Sequence, residues 1–150
     1  DWAVVDAGFI HTVALKSDGS LWTWGDNGNY QLGSGDNSLD LNVPTQVGSD
    51  TDWRSVDAGS YHTPAVKSRG SLWAWGRNSD GQVGVDSTET YVVSPTQVGD
   101  ASNWSSVVTG TTTSFAVSKD GYLWGWGDNE YYRLGVGSVS DKRAPVVVGF

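Results

Sequence analysis

His11-Thr12-Val13-Ala14-Leu15-Lys16-Ser17-Asp18-Gly19-Ser20-Leu21-Trp22-Thr23-Trp24-Gly25-Asp26-Asn27 occurs three times in this chain, in altered copies. The second copy occupies residues 62–78 and the third residues 113–129, a spacing of 51 each time. Leu-Trp-x-Trp-Gly alternates with a period of two. Both Trp of a copy therefore share one face of a strand, with Thr23, Ala74 or Gly125 on the other. The small size of those three residues predicts a second sheet or backbone close against that face. Upstream, residues 11–15 read as another strand, with His11, Val13 and Leu15 on one face and Thr12 and Ala14 on the other. Residues 16–20 between them are turn chemistry, since Asp18-Gly19 supplies the positive φ that a tight hairpin needs.

The register extends in both directions. Asp1-Trp2, Asp52-Trp53 and Asn103-Trp104 open three units, 1–51, 52–102 and 103–150, the last shorter by one residue in a loop. Val5, Val56 and Val107 align, as do Gly8, Gly59 and Gly110, and all nine Trp fall into three columns. A Gly recurs at 33, 84 and 135, and each unit closes on Pro44, Pro95 or Pro145 followed by Val-Gly. Short strands over residues 2–7 and 44–47 bring the count to four per unit, and no segment has a helical period. Four short strands in about 50 residues, repeated in tandem, predict an all-β chain of three β-propeller blades. Three blades leave the ring incomplete unless further repeats or a second chain complete it.

Composition narrows the function. The chain has 150 residues with Gly 20, Trp 9, no Cys and no Met, and carries a formal net charge of −8. No apolar run approaches the roughly 18 to 20 residues of a bilayer-crossing helix, so no membrane insertion is expected. The shortage of clustered Lys and Arg argues against nucleic acid and suits a basic partner or a calcium ion better. Without Cys there is no disulfide, thiol nucleophile or Cys-ligated metal. A chain that begins Asp1-Trp2 is expected to be a processed product or a piece of something longer. The charge is uneven, −6 in the first unit, −2 in the second and 0 in the third.

Trp2-x-x-Val5-x-Ala7-Gly8-x-x-His11-Thr12, continued through Asn27 and followed by Gln31-Leu32-Gly33 and Pro44, resembles the regulator of chromosome condensation repeat. The resemblance spans all three units. It implies seven-bladed propellers in related proteins and a spread of functions: exchange factors for a small nuclear GTPase, a plant ultraviolet-B photoreceptor, secreted enzyme inhibitors and bacterial surface arrays. For the exchange factors the resemblance implies basic tails and a wedge inserted between strands, and the 51-residue period of this sequence shows neither a basic tail nor such an insertion. The photoreceptor has Trp where Phe9, Ser60 and Thr111 stand here. The wording of the repeat is most similar to the bacterial extracellular arrays. The expectation is a non-enzymatic protein-interaction scaffold at the cell surface or outside the cell, in a longer array or self-assembling as a homo-oligomer. The alternatives are an exchange-factor-like regulator of a small GTPase and a secreted enzyme inhibitor.

Single residues fit that expectation. Trp2, Trp22, Trp24, Trp53, Trp73, Trp75, Trp104, Trp124 and Trp126 recur once per blade and are expected to pack between sheets as the blade core. His11 and His62 share a column that Thr113 completes, which favours a structural hydrogen bond over catalysis. A metal site with Asp6 and Asp57 fails in the third unit, where Val108 stands. No metal and no cofactor are expected. An EF-hand loop starting at Asp26 fails because Gln31 and Asn37 occupy the positions that need Gly and Glu. Asn27, Asn78 and Asn129 are expected to cap turns through their side chains. Asn103-Trp104-Ser105 fits the glycosylation pattern, but Trp104 belongs to a core column. No phosphate-binding loop, Ser elbow or catalytic carboxylate pair is present.

Where columns carry the fold, specificity lies in what differs between units. The bend at 9–10, 60–61 and 111–112 varies, as do the loops at 34–43, 85–94 and 136–144 and the stretches ahead of them. Phe9, Ile10, Tyr30, Tyr61, Tyr131 and Tyr132 are the candidate protein contacts, because aromatics concentrate at interface cores.

Overall fold

A computed structural model describes residues 1–35 and 40–149. Asn37 and the middle of the 34–43 loop lie outside the described residues. The chain is all-β, with one four-stranded antiparallel sheet in each unit. The first sheet comprises β1 (Trp2–Ala7), β2 (His11–Lys16), β3 (Leu21–Gly25) and β4 (Leu41–Gln46). The second comprises β5 (Trp53–Val56), β6 (His62–Lys67), β7 (Leu72–Arg77) and β8 (Tyr91–Gln97). The third comprises β9 (Trp104–Thr109), β10 (Thr113–Ser118), β11 (Leu123–Gly127) and β12 (Lys142–Val147). A 3-10 turn over Glu130–Tyr132 is the one helical element among the described residues. Strands pair in chain order within each sheet, and the three sheets follow one another in an arc that does not close.

Alternation and turn chemistry produce each sheet. In the first, Val13 pairs with Thr23 and Leu15 with Leu21, and the hairpin turns at Gly19 with φ 82°. The fourth strand starts at Leu41, three residues before the expected edge. Pro44 sits in this exposed outer strand, where a missing N–H costs no ladder bond. Pro64, by contrast, lies in the interior strand β6, and its carbonyl accepts from Asp57 N at 3.2 Å while it has no N–H to return. β5 accordingly ends at Val56, two residues shorter than β1 and β9.

The sheets meet through two apolar cores. Val13, Leu15, Leu21 and Val47 of the first sheet pack against Trp53, Val56, Ala65 and Trp75 of the second. Val66, Leu72, Ala74, Val83 and Val98 of the second pack against Trp104, Val107, Ala116 and Trp126 of the third. The small residue between the paired Trp faces its cross-strand partner in compensating sizes: Val13 with Thr23, Pro64 with Ala74, Phe115 with Gly125. A Cβ at Gly125 would lie 2.9 Å from the Phe115 ring, so the largest partner stands opposite the smallest residue.

The Trp columns separate by position. Trp75 and Trp126 are fully buried, and Trp53 and Trp104 nearly so, whereas Trp22, Trp24, Trp73 and Trp124 are half-buried. Trp2 departs from the expected core: it is 53% exposed, because the face of β1 that carries it meets no sheet in this structure. It meets Trp22 edge-on at 5.8 Å and Trp24 at a tilt at 6.2 Å, and the Lys16 ammonium lies 4.9 Å from its ring.

Candidate protein-binding face

β1 and β3 both end at the point where β2 begins, since His11 pairs with Gly25. The bend after the first strand and the long loop after the third therefore share one end of every sheet, and the 16–20 hairpins share the other. Backbone bonds tie the two loops together at the same place in each unit: Asp26 N to Ile10 O at 2.9 Å, Arg77 N to Tyr61 O at 2.9 Å, and Asp128 N to Thr112 O at 3.0 Å.

The loop end is held from beneath by the Asn column, which is fully buried. Asn27 Oδ1 accepts from Leu32 N, Asn78 Oδ1 from Val83 N and Asn129 Oδ1 from Leu134 N, at 3.0–3.1 Å. The amide of Asn78 donates to the carbonyls of Ser87 and Glu89, and that of Asn129 to Ser138 and Ser140. The side chains cap turns as their position after Trp-Gly implies. One amide thus ties a near and a far segment of each of these loops together.

A second set of bonds joins one sheet to the next. Thr63 Oγ1 donates to the Gln31 carbonyl at 2.8 Å, and Trp75 Nε1 donates to the same oxygen at 3.0 Å. Ser114 and Trp126 repeat the pair on the Gln82 carbonyl at 2.7 and 2.9 Å. With its proton committed, Thr63 accepts from His11 Nε2, and Ser114 from His62 Nε2 at 2.8 Å. The proton on Nε2 leaves Nδ1 bare, and neither Nδ1 has a hydrogen-bond partner among the described residues. Burial holds both imidazoles neutral, lowering His11 to about 4 and His62 to about 3. The Gly column before them makes room for the ring: a Cβ at Gly59 would stand 2.5 Å from His62 Nδ1. Asp6 accepts from Ala58 N and Asp57 from Thr109 N across the same joints, both at 2.7 Å, and burial pushes Asp57 upward. The His and Asp columns thus bind neighbouring sheets together. Among the described residues no group of three or more His, Cys, Asp or Glu is placed to hold a metal.

The candidate contact residues all lie at the loop end. Phe9 is 71% exposed and meets Tyr61 edge-on at 5.9 Å across the first joint, with the Arg77 guanidinium 5.8 Å from the Tyr61 ring. Ile10 is half-buried beside them. Tyr30 packs on Tyr91 at 5.4 Å, a partner that sequence reading passed over because Tyr91 has no counterpart in the other units. Tyr131 and Tyr132 are 78% and 64% exposed and sit at φ 61° and 60°, in the left-handed region that non-glycine residues avoid. Tyr30 shares that conformation, and Gly81 fills the same position in the second unit. No ring contact joins the Tyr131 and Tyr132 pair to the other aromatics among the described residues.

Charge divides the same way. Among the described residues the loop end carries ten carboxylates against four cations, and the hairpin end six against five. Arg133 pairs with Asp128 at 2.9 Å, while Asp6, Asp26, Asp40 and Asp141 are met by neutral backbone N–H groups that leave their charge in place. A cleft of about 650 Å³ opens between the first two sheets, lined by Leu32 and Gly35 of the long loop as well as by Thr45, Trp53, Trp73 and Pro95. None of the candidate aromatics lines it.

Comparison with known proteins agrees with this architecture. The model of the regulator of chromosome condensation (RCC1) repeat matches residues 18–66, 69–117 and 120–150. A second model of the same repeat matches 3–31, 53–82 and 104–133. The chain is 34% identical to the mitochondrial RCC1 domain-containing protein RUG3 of Arabidopsis thaliana, over 99% of its own length and 34% of that protein. It is 37% identical to the ultraviolet-B receptor UVR8 of the same plant, over 98% of its length and 34% of the receptor. Yeast RCC1 (Prp20), solved bound to Kap60, superposes with a TM-score of 0.90 at 26% identity, covering 99% of this chain and 37% of that one. The chain spans about a third of the length of these two plant relatives. It belongs to the regulator of chromosome condensation repeat family.

Proposed function

We propose that this chain is a non-enzymatic protein-interaction scaffold whose loop end is the partner surface, and that the partner presents a basic segment. The observation that carries this is the coincidence of exposed aromatics and unbalanced carboxylates at one end. Aromatic side chains supply contact area at low entropic cost, and a negative field draws a cationic partner and orients it. The chain's own packing uses the same chemistry, with the Lys67 ammonium 4.8 and 4.9 Å from the rings of Trp53 and Trp73. The similar yeast propeller, solved in complex with Kap60, supports a binding role for the fold.

The scaffold is proposed to act at the cell surface or outside the cell, within an array of the same repeat. Fractionation of the source cells tests that location, and recovery from the cytosol alone contradicts it. The binding role is tested with fluorescently labelled peptides of equal length, one Arg- and Lys-rich and one Asp- and Glu-rich. Anisotropy is expected to rise with the basic peptide and to weaken as salt is added. Equal response to both peptides, or to neither, overturns the reading.

A further inference from the structure

A guanidinium of the chain itself already sits in one of the loops at the loop end. Arg143 of β12 reaches across the second joint into the loop of the second unit and donates to the carbonyls of Asn78 at 3.3 Å, Ser79 at 3.1 Å and Ser87 at 3.0 Å. Gly81 clears its approach, since a Cβ there would stand 2.8 Å from Arg143 Cα and Cγ. Several carbonyl oxygens set around one planar cation suit the fork of an arginine better than the point charge of a lysine. The same loop begins at a second guanidinium, Arg77, which lies against the Tyr61 ring.

The first joint repeats the backbone of this arrangement and has neither cation. Gly35 N donates to Val93 O at 3.2 Å there, as Asp86 N donates to Arg143 O at 2.8 Å at the second joint, so Val93 holds the place of Arg143. Tyr30 N donates to Asn27 O as Gly81 N does to Asn78 O, at 3.0 and 3.1 Å, so Gly28 holds the place of Ser79. Asp26 holds that of Arg77, and its Oδ1 accepts from Gly28 N at 3.0 Å and Gln31 Nε2 at 2.8 Å, two neutral donors. Two tyrosines complete the change. Tyr30 stands where Gly81 does, and Tyr91 stands in the register of Asp40 and Asp141, which accept from the Asn27 and Asn129 backbone N–H in the other units. The two rings meet at 5.4 Å, tilted by 52°. Tyr91 is 42% and Val93 41% exposed, and Gly28 is exposed as well. All of these residues lie at the joint between two neighbouring sheets of the chain, away from its outer faces.

We infer that the first joint is a seat for an arginine side chain of the partner. The guanidinium takes the Gly28 carbonyl and the Asp26 carboxylate and lies against the Tyr30 and Tyr91 rings, supplying from outside the cation that the second joint supplies from within. Forked hydrogen bonding and stacking on an aromatic face both favour a guanidinium over an ammonium. The inference rests on the scaffold reading, and adds which residue type of the basic segment is recognised and where.

Anisotropy titrations with two labelled peptides of equal length and charge test it, one carrying arginine as its only cationic residue type and the other lysine. The arginine peptide is expected to bind about tenfold tighter, the worth of about one charge-assisted hydrogen bond. Tyr30→Gly with Val93→Arg transplants the second joint's arrangement onto the first and fills the seat with the chain's own guanidinium. The double variant is expected to bind the two peptides alike. Val93→Arg alone, at an exposed position, is expected to narrow the difference in the same direction, so a double variant that fails to fold does not end the test. A cooperative urea transition identifies the variants that are folded. Equal affinity of the parent for both peptides, or an arginine preference that a folded Val93→Arg variant keeps in full, overturns the inference. Equal binding of both peptides that salt weakens sinks this inference and leaves the scaffold reading standing, whereas binding of neither sinks that reading too.

Discussion

His11 Nε2 lies 2.9 Å from Thr63 Oγ1, 52 positions away in sequence, and this bond crosses from one sheet to the next. Thr63 Oγ1 in turn donates a hydrogen bond to the Gln31 carbonyl, which also accepts one from the Trp75 indole N–H. All of these groups are buried, so each depends on the others for a partner.

Thr63→Val keeps the shape and removes the hydroxyl. It leaves the His11 N–H without an acceptor, and a cost of about 1–3 kcal/mol is expected in urea unfolding. Thr63→Ser, the residue found at position 114, is expected to keep most of the stability. Equal stability of the Val variant and the parent contradicts the relay.

Acid is expected to weaken the fold through His11 and His62. Both are held neutral when folded, at about 4 and about 3, against 6.5 unfolded. The unfolded chain therefore takes up protons first. This contribution is fully present above about pH 6.5 and is lost as pH falls toward 4 and 3, at about 1.4 kcal/mol per pH unit for each histidine. Urea unfolding of the parent and of a His11→Gln, His62→Gln double variant between pH 7 and 4 checks it. A flatter pH dependence is expected in the variant, and parallel curves contradict the assignment.

Gly125→Ala is expected to destabilise by about 1–3 kcal/mol, because the new methyl meets the Phe115 ring at 2.9 Å. Phe115→Val, the residue at position 13, opens that space. The double variant is expected to recover part of the loss, giving a coupling of at least about 0.5 kcal/mol in a double-mutant cycle. Additive effects contradict direct packing between the two.

Tyr132 sits at φ 60° with its side chain 64% exposed. Tyr132→Gly, matching Gly81, is expected to raise stability by about 1 kcal/mol by relieving the left-handed backbone. It is also expected to weaken the basic peptide by severalfold. A variant that gains stability and keeps full binding removes Tyr132 from the partner surface.

Much of this architecture was legible because the information sat in side chains repeated at a fixed interval. Leu-Trp-x-Trp-Gly marked the strands, Asp18-Gly19 marked the hairpin, and the Asn after Trp-Gly marked the loop cap. The joint between sheets was half legible. His11, His62 and Thr113 stood in one column, but His11 and His62 reach the hydroxyls of Thr63 and Ser114 on the next sheet, and these donate to the backbone carbonyls of Gln31 and Gln82, which have no signature in sequence. The short β5 followed from Pro64, a residue whose effect depends on which side of the strand its missing N–H faces. Trp2 looked like its column mates and differs only through what its sheet meets. At the candidate surface the aromatics were visible as departures from the repeat. Their placement on one end, and the pairing of Tyr30 with Tyr91, came from strand direction and loop folding.

Cross-linking from the two ends tests the central claim most directly. A photoreactive side chain is placed at Tyr131 on the loop end, and in a separate chain at Arg69 on the hairpin end, each with the labelled basic peptide. The account predicts strong labelling from position 131 that salt suppresses, and little from position 69. Labelling from position 69 that equals or exceeds that from position 131 would contradict it.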